Sequence, residues 1–228
     1  MAPPIRIFIK LVCGRIISYL PHAAHQFGFT TGKSCSEGLR TYAAAVETTL
    51  SKNNYCIAVF LDLKAVFDTV NHGALLTLLD LSMTPSPLFR IIKHLYRGTL
   101  QNFERCKARG PSVGGALHFY LSMLHLYVSA GRQAEITLGG RPGLLLLYAD
   151  DIVILSISAE HAQLTINRVC EYIKTLNLSL NVPKCAVMHI SKTKTRLQSP
   201  PSLFIEQTEV EKVTQIKYLG ATINSSNS

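Results

Sequence analysis

The sequence predicts an α+β fold, because strand-like and helical segments interleave along it without a strict βαβα alternation. Three observations carry that reading. Hydrophobic residues make up 47% of the 228 and charged residues 16%, below the roughly 25% charged share usual for globular chains, so most of the length is committed to a core. Two segments, 55–63 and 143–157, are nearly continuous apolar runs of strand length. Two others, 35–51 and 160–176, carry apolar residues at helical spacing.

Taken in order, Ser34 with Glu37 three residues on forms a capping box. Leu39, Tyr42, Ala43, Val46 and Leu50 then recur on one face, which predicts a helix over 35–51. Tyr55 to Leu63 reads as a strand that carries Asp62 at its end. Pro87 opens a second helix, Leu88 to Arg97, stopped by Gly98. A Gly-rich, weakly patterned stretch follows at 107–116. Gly143 to Ile157 is two apolar runs around Ala149-Asp150-Asp151, the pattern of a β-hairpin with acids at its tip. Ile166, Val169, Cys170, Ile173 and Leu176 mark another amphipathic helix. Strand-like segments follow near 186–190, 203–206 and 213–223, and residues 224–228 read as a disordered tail.

Lys and Arg number 23 against 14 Asp and Glu, a formal charge of +9. Such an excess points to a polyanionic partner, nucleic acid or a nucleotide phosphate, with a merely basic surface as the other reading. The six cysteines at 13, 35, 56, 106, 170 and 185 contain no C-x-x-C pair, which argues against a zinc ribbon. Cys185 and His189 stand four apart, but a single such pair reads as packing. The apolar opening Ile5 to Leu20 is interrupted by Arg6, Lys10 and Arg15 and suits neither a signal core nor a membrane span. The expectation is an intracellular protein with reduced thiols, no disulfide-linked partner and no membrane association. Nothing in the sequence separates nucleus from cytoplasm.

Asp150-Asp151 is the sharpest chemical feature. Two adjacent carboxylates between Leu-Leu-Leu-Leu-Tyr and Ile-Val-Ile-Leu need a cation nearby, since unpaired ions in apolar surroundings cost several kcal/mol each. A hard divalent ion such as Mg²⁺ takes carboxylate oxygens together with substrate phosphates. The alternative is a surface hairpin turn, where Asp is common. Asp62 shifts the balance: a third acid projecting from a strand end would complete a site for two ions able to drive in-line phosphoryl transfer. Phe67, five residues on, is either a core aromatic or a ring beneath an incoming sugar.

Val59-Phe60-Leu61-Asp62-Leu63 followed by Phe67-Asp68-Thr69-Val70-Asn71-His72 resembles the first palm motif of reverse transcriptases from non-LTR, LINE-type retrotransposons, F-L-D-L-S-K-A-F-D-T-V-N-H. Leu147-Tyr148-Ala149-Asp150-Asp151 resembles that family's Y-A-D-D hairpin. Gln26-Phe27-Gly28-Phe29-Thr30-Thr31-Gly32-Lys33-Ser34 is similar to its Q-x-G-F-R-x-G-R-S segment. Leu180-Asn181-Val182-Pro183-Lys184, with Val187-Met188, is similar to L-N-x-x-K-T-K-x-M, and Lys217-Tyr218-Leu219-Gly220 to the Y-L-G strand. Five segments stand in the family's order across roughly residues 5–223.

The resemblance implies a polymerase palm, an antiparallel sheet packed on helices, with a truncated fingers region and no thumb. Residues 1–54 would be partial fingers and the first palm helix, and 55–223 the palm. It implies an RNA-directed DNA polymerase that transfers nucleotides to a primer 3′ end, with RNA template, DNA primer and dNTP as partners. Asp62, Asp150 and Asp151 would hold two Mg²⁺ ions, with Mn²⁺ able to replace them. Lys184 would act at the leaving pyrophosphate, and Leu63, Phe67 and Gly110 would bound the nucleotide, Phe67 as the sugar gate. Tyr148 would meet the primer end. Lys33, and the basic cluster Lys192, Lys194 and Arg196, would contact nucleic acid.

The chain also departs from the pattern. Ala65 replaces the lysine of D-L-S-K-A-F-D, Thr30 the arginine of G-F-R, and Cys185-Ala186 follow Lys184 in place of T-K. The family's R-Q-G-x-P-L-S-P segment becomes Ala108-Arg109-Gly110-Pro111-Ser112-Val113, with no glutamine before Gly110. These departures keep a second expectation open, a catalytically inactive domain of the same fold from a decayed element copy, which binds nucleic acid non-specifically or only folds. A P-loop does not fit, because Gly28 to Gly32 has three intervening residues and the motif needs four. A D-x-D phosphatase fails on Lys64, where an acid is required.

Overall fold

The computed structural model describes residues 26–28, 32–64, 137–138, 141–142, 145–192 and 201–225, with helical positions 86, 87, 89, 90, 93, 121, 123–125, 127 and 128. Its elements are α1 (Cys35–Asn53), β1 (Tyr55–Lys64), β2 (Thr137–Leu138), β3 (Arg141–Pro142), β4 (Leu145–Tyr148) and β5 (Asp151–Ser156). There follow α2 (Ala159–Thr175), β6 (Ser179–Leu180), a 3₁₀ turn (Val182–Lys184), β7 (Ala186–Ser191), β8 (Phe204–Ile205) and β9 (Thr208–Glu209). The last are β10 (Glu211–Lys212), β11 (Gln215–Tyr218) and β12 (Ala221–Asn224).

Both long helices begin at a serine cap, the first at the Ser34 that the sequence marks. Ser34 Oγ accepts from Glu37 N–H at 3.3 Å, and Ser158 Oγ from His161 N–H at 3.3 Å. Helix α1 runs two residues past the expected 51 because its stop is Asn54, left-handed at φ 64°, whose N–H closes on Leu50 C=O at 3.1 Å.

The main sheet has the order β10-β7-β1-β5-β4, with β6 continuing on β1, and every pairing is antiparallel except β10 with β7. The expected α+β architecture is present: an antiparallel-rich sheet between helices. Strand β1 lies at its centre and is apolar on both faces because both are covered. Ile57, Val59, Leu61 and Leu63 join Ile152, Ile154 and the buried face of α2, Ala162, Ile166, Val169 and Ile173. The alternate residues, Cys56, Ala58 and Phe60, join Val153, Leu155 and the α1 residues Tyr42, Val46 and Leu50 on the other side.

Several elements differ from the sequence reading. The 203–206 and 213–223 segments are two short hairpins, β8–β9 and β11–β12. The second turns at Leu219-Gly220, both at positive φ (47° and 83°), as a type I′ turn requires. Residues 224 and 225, expected in the tail, are held in place: Asn224 pairs with Gln215, and Ser225 N–H donates to Thr214 C=O at 2.8 Å, while 226–228 lie outside the described residues. The helix expected from 88 already includes residues 86 and 87, and its later part lies outside the described residues, as does 107–116. A helical stretch at 121–128, which the sequence pattern does not announce, buries Leu121, Leu124 and Val128, with Arg168 Nη1 donating to Val128 C=O at 3.0 Å. Among the described residues no helix is long and apolar enough to cross a membrane.

Candidate active site at the Asp62–Asp151 pair

Strands β1 and β5 are in register so that Asp62 lies directly opposite Asp151. The two-residue period then sets their direction: Asp62 has the parity of Phe60 and Asp151 that of Val153, so both emerge on the face covered by α1. Asp150 occupies the two-residue turn between Tyr148 and Asp151, and its C=O accepts from Leu63 N–H at 3.3 Å. The other turn residue, Ala149, is left-handed at φ 55°, a conformation costing a non-glycine residue about 1 kcal/mol or more.

That turn is braced from outside. Phe27 N–H donates to Leu147 C=O at 2.8 Å, and Gln26 bridges Leu147 in parallel, so residues 26–28 run along the free edge of β4. Gly28 lies so close that a Cβ there would be 2.1 Å from Ala149 N. Only glycine allows this approach.

The electrostatics follow from crowding acids on a half-buried ledge. Burial, then the charges of Asp150 and Asp62, push the Asp151 carboxyl up to about 6, against a weaker lowering by Lys184. Lys184 Nζ is 4.0 Å from Asp62 Oδ2, with its side chain 68% exposed. Asn181 Nδ2 donates to the same oxygen at 3.0 Å. A cavity of about 180 Å³ opens at the pair, bordered also by Phe60, Lys217 and Tyr218. Its floor is aromatic: the Phe60 and Tyr218 rings are 5.6 Å apart and edge-on, with Tyr42 5.7 Å from Tyr218. Burial raises the phenols of Tyr42 and Tyr218 out of the titrating range, and neither hydroxyl has a hydrogen-bond partner among the described residues.

The structure thus brings Asp62, Asp150, Asp151 and Lys184 together, with Tyr148 at the turn's other shoulder, its hydroxyl accepting from the Cys35 thiol at 2.8 Å. Lys33 stands nearby, its ammonium 4.7 Å above the Phe27 ring. Leu63 turns its side chain into the core at 3% exposure, so it can meet a ligand only through its backbone. Lys192 is not at the site: it follows the end of β7 that pairs with Tyr55, seven strand residues or roughly 23 Å from Asp62. Phe67, Gly110, Lys194 and Arg196 lie outside the described residues. Asn181, Lys217 and Gly28 were not singled out by their chemistry; their presence within family-like segments was the available signal. Among the described residues no three acid, imidazole or thiol groups stand close enough to enclose an ion by themselves.

The family model for reverse transcriptase (RNA-dependent DNA polymerase) matches residues 5–223. This chain belongs to the reverse transcriptase family. Its relatives include a probable RNA-directed DNA polymerase from transposon X-element of Drosophila melanogaster, 26% identical over 96% of this chain and 25% of that protein. The Pol polyprotein of the type-1 retrotransposable element R2 of Nasonia vitripennis is 24% identical over 97% of this chain and 23% of its own length. The chain therefore spans about a quarter of the length of these curated relatives. Among solved structures, telomerase from Candida albicans aligns over 91% of this chain and 36% of that one, at 10% identity and a TM-score of 0.48, too loose an agreement to carry an argument.

Proposed function

We propose that this chain is the polymerase centre of an RNA-directed DNA polymerase, adding dNTPs to a DNA primer 3′ end on an RNA template. The observation that supports this most directly is the register pairing of Asp62 with Asp151, with Asp150 in the adjoining turn and Lys184 4.0 Å from Asp62. The donor set fits a hard divalent cation: carboxylate oxygens only, with a charge excess that already raises Asp151. Asp62, Asp150 and Asp151 would hold two Mg²⁺ or Mn²⁺ ions. Bound there, the ions would activate the primer hydroxyl and neutralise charge on the triphosphate.

The chain's own groups would do the rest. Lys184, exposed and loosely paired, would exchange the Asp62 carboxylate for phosphate oxygens and give a proton to the departing pyrophosphate. Tyr148 would meet the primer end. Leu63 and Gly110 would border the nucleotide through backbone, and Phe67 would exclude a 2′-hydroxyl. Lys33, Lys192, Lys194 and Arg196 would contact phosphates, Lys192 at a distance from the chemistry that suits the duplex and not the triphosphate. In this reading residues 1–54 are partial fingers with the first palm helix, and 55–223 the palm.

A second reading has its own observation, the absence of glutamine before Gly110 in the nucleotide segment. It is an inactive domain that keeps salt-sensitive nucleic-acid binding. Primer extension on an RNA template by the full-length protein decides between them. Extension that requires Mg²⁺ supports the polymerase. Binding that weakens steeply with salt, without extension, supports the second reading. Neither extension nor binding at low salt overturns both.

A further inference from the structure

Strand β1 changes partner at Asp62. Residues Tyr55–Phe60 pair with β7, and Leu63–Lys64 with β6, so the link Asn181–Cys185 leaves the ladder opposite Asp62. Where a strand would offer only backbone, this detour offers side chains. Pro183 helps tighten it into the single 3₁₀ turn Val182–Lys184.

Asn181 is fixed by its backbone at three points. Its N–H donates to Asp62 C=O at 2.8 Å, and its C=O accepts from Lys184 N–H at 2.8 Å and from the buried Cys185 thiol at 3.4 Å. From that anchor Nδ2 reaches Asp62 Oδ2 at 3.0 Å. The donor assignment is chemical, since a carboxylate only accepts. Lys184 approaches the same oxygen, and Oδ1 accepts no hydrogen bond among the described residues. The two neighbours of Oδ2 differ in kind. Lys184 is a long, exposed cation that cancels charge and can leave. Asn181 is a short, anchored, neutral donor that orients the carboxylate without lowering its attraction for a cation.

We propose that Asn181 is a positioning residue that holds Asp62 by Oδ2, against repulsion from Asp151 and Asp150, and leaves Oδ1 as the oxygen offered to a divalent ion. This rests on the proposed ion-binding role of the acids and deepens it. Partners of this kind, one bond removed from a metal, are worth about 10- to 100-fold in affinity.

The test is Mn²⁺ binding to the full-length protein, read by electron paramagnetic resonance, together with the Mg²⁺ dependence of primer extension. Asn181→Ala should weaken Mn²⁺ binding about tenfold and raise the half-saturating Mg²⁺ by a similar factor, with the rate at saturating Mg²⁺ within about twofold of the parent. In an Asp62→Asn background, where no charge needs holding, the same change should alter Mn²⁺ binding less than about twofold. Should Asn181→Ala not fold, Asn181→Ser, whose hydroxyl is too short to reach Oδ2, should show the same tenfold loss. Unchanged Mn²⁺ affinity in a folded Asn181 variant overturns the positioning role alone, provided Asp150→Asn weakens binding. A parent protein that binds no Mn²⁺ overturns the reading of the acids, and this proposal with it.

Discussion

The two ends of β1 each open on a cavity, and they differ in everything except the strand between them. At the Asp62 end the space is about 180 Å³ and is lined by two carboxylates, Asp62 and Asp151, and two lysines, Lys184 and Lys217, with Asp150 acting on Asp151 from the adjoining turn. At the Tyr55 end it is about 750 Å³, yet its polar groups are largely occupied with one another. Tyr55 hydroxyl donates to Ile157 C=O at 2.7 Å, Ser191 hydroxyl to Asn54 C=O at 3.4 Å, and burial lowers His189 toward its neutral form. The smaller cavity concentrates four charged side chains; the larger has one, the Glu160 carboxylate. Volume is a poor guide to chemistry here, and the concentration of interacting charge is the better one.

The comparison breaks most sharply at the acids. Asp150→Asn or Asp62→Asn should reduce primer extension by about 10³-fold or more, roughly 4 kcal/mol of transition-state stabilisation, measured as single-nucleotide addition rates. Melting temperature without divalent ions should hold or rise, because one member of a repelling set is gone. Extension within tenfold of the parent would remove the acid end's distinction.

Next in size is the brace. A methyl at Gly28 would meet Ala149 N at 2.1 Å, backbone against backbone, so neither side can yield by rotating a side chain. Gly28→Ala should cost about 1–3 kcal/mol in urea denaturation. Extension should fall by about 10²-fold, more than the stability loss explains, because small displacements of reacting groups are costly. A fall in stability with normal extension would show that the turn's geometry does not depend on the brace.

A smaller effect follows from Asp151. Its carboxyl is near 6 in the fold against an ordinary 3.8, so the folded chain binds a proton more readily than the unfolded one between those values. Stability should therefore fall as pH rises from about 4 to about 6 and stay reduced above that. The drop should be about 1 kcal/mol, less than the full shift implies because the carboxyl is only part-buried. Denaturant titrations across that range in a chelator should show it, and Asp151→Asn should flatten it. The smallest effect belongs to the far cavity: Tyr55→Phe removes one hydrogen bond at a half-exposed ring and should cost about 1 kcal/mol or less. Extension should be unchanged; a large loss there would join the two ends functionally.

The sequence alone was sufficient wherever the cause is local. Ser34 announces its helix because a cap is satisfied within three residues, and the helical spacing of Ile166, Val169, Ile173 and Leu176 announces the other. The apolar runs at 55–63 and 143–157 announce a strand and a hairpin, and the acids stand out because charge is so costly beside them. Spacing within family-like segments marks Asp62, Asp150, Asp151 and Lys184. It could not mark what depends on pairing distant segments. The register that sets Asp62 against Asp151, the approach of Gly28 to Ala149, the reach of Asn181 to Asp62 and the remoteness of Lys192 all arise from which strands become neighbours. Local propensity says that a strand forms and which residues share a face. The partner and the register are decided by burying both faces of β1 at once, and a slip of one residue would turn every side chain of the partner to the opposite face.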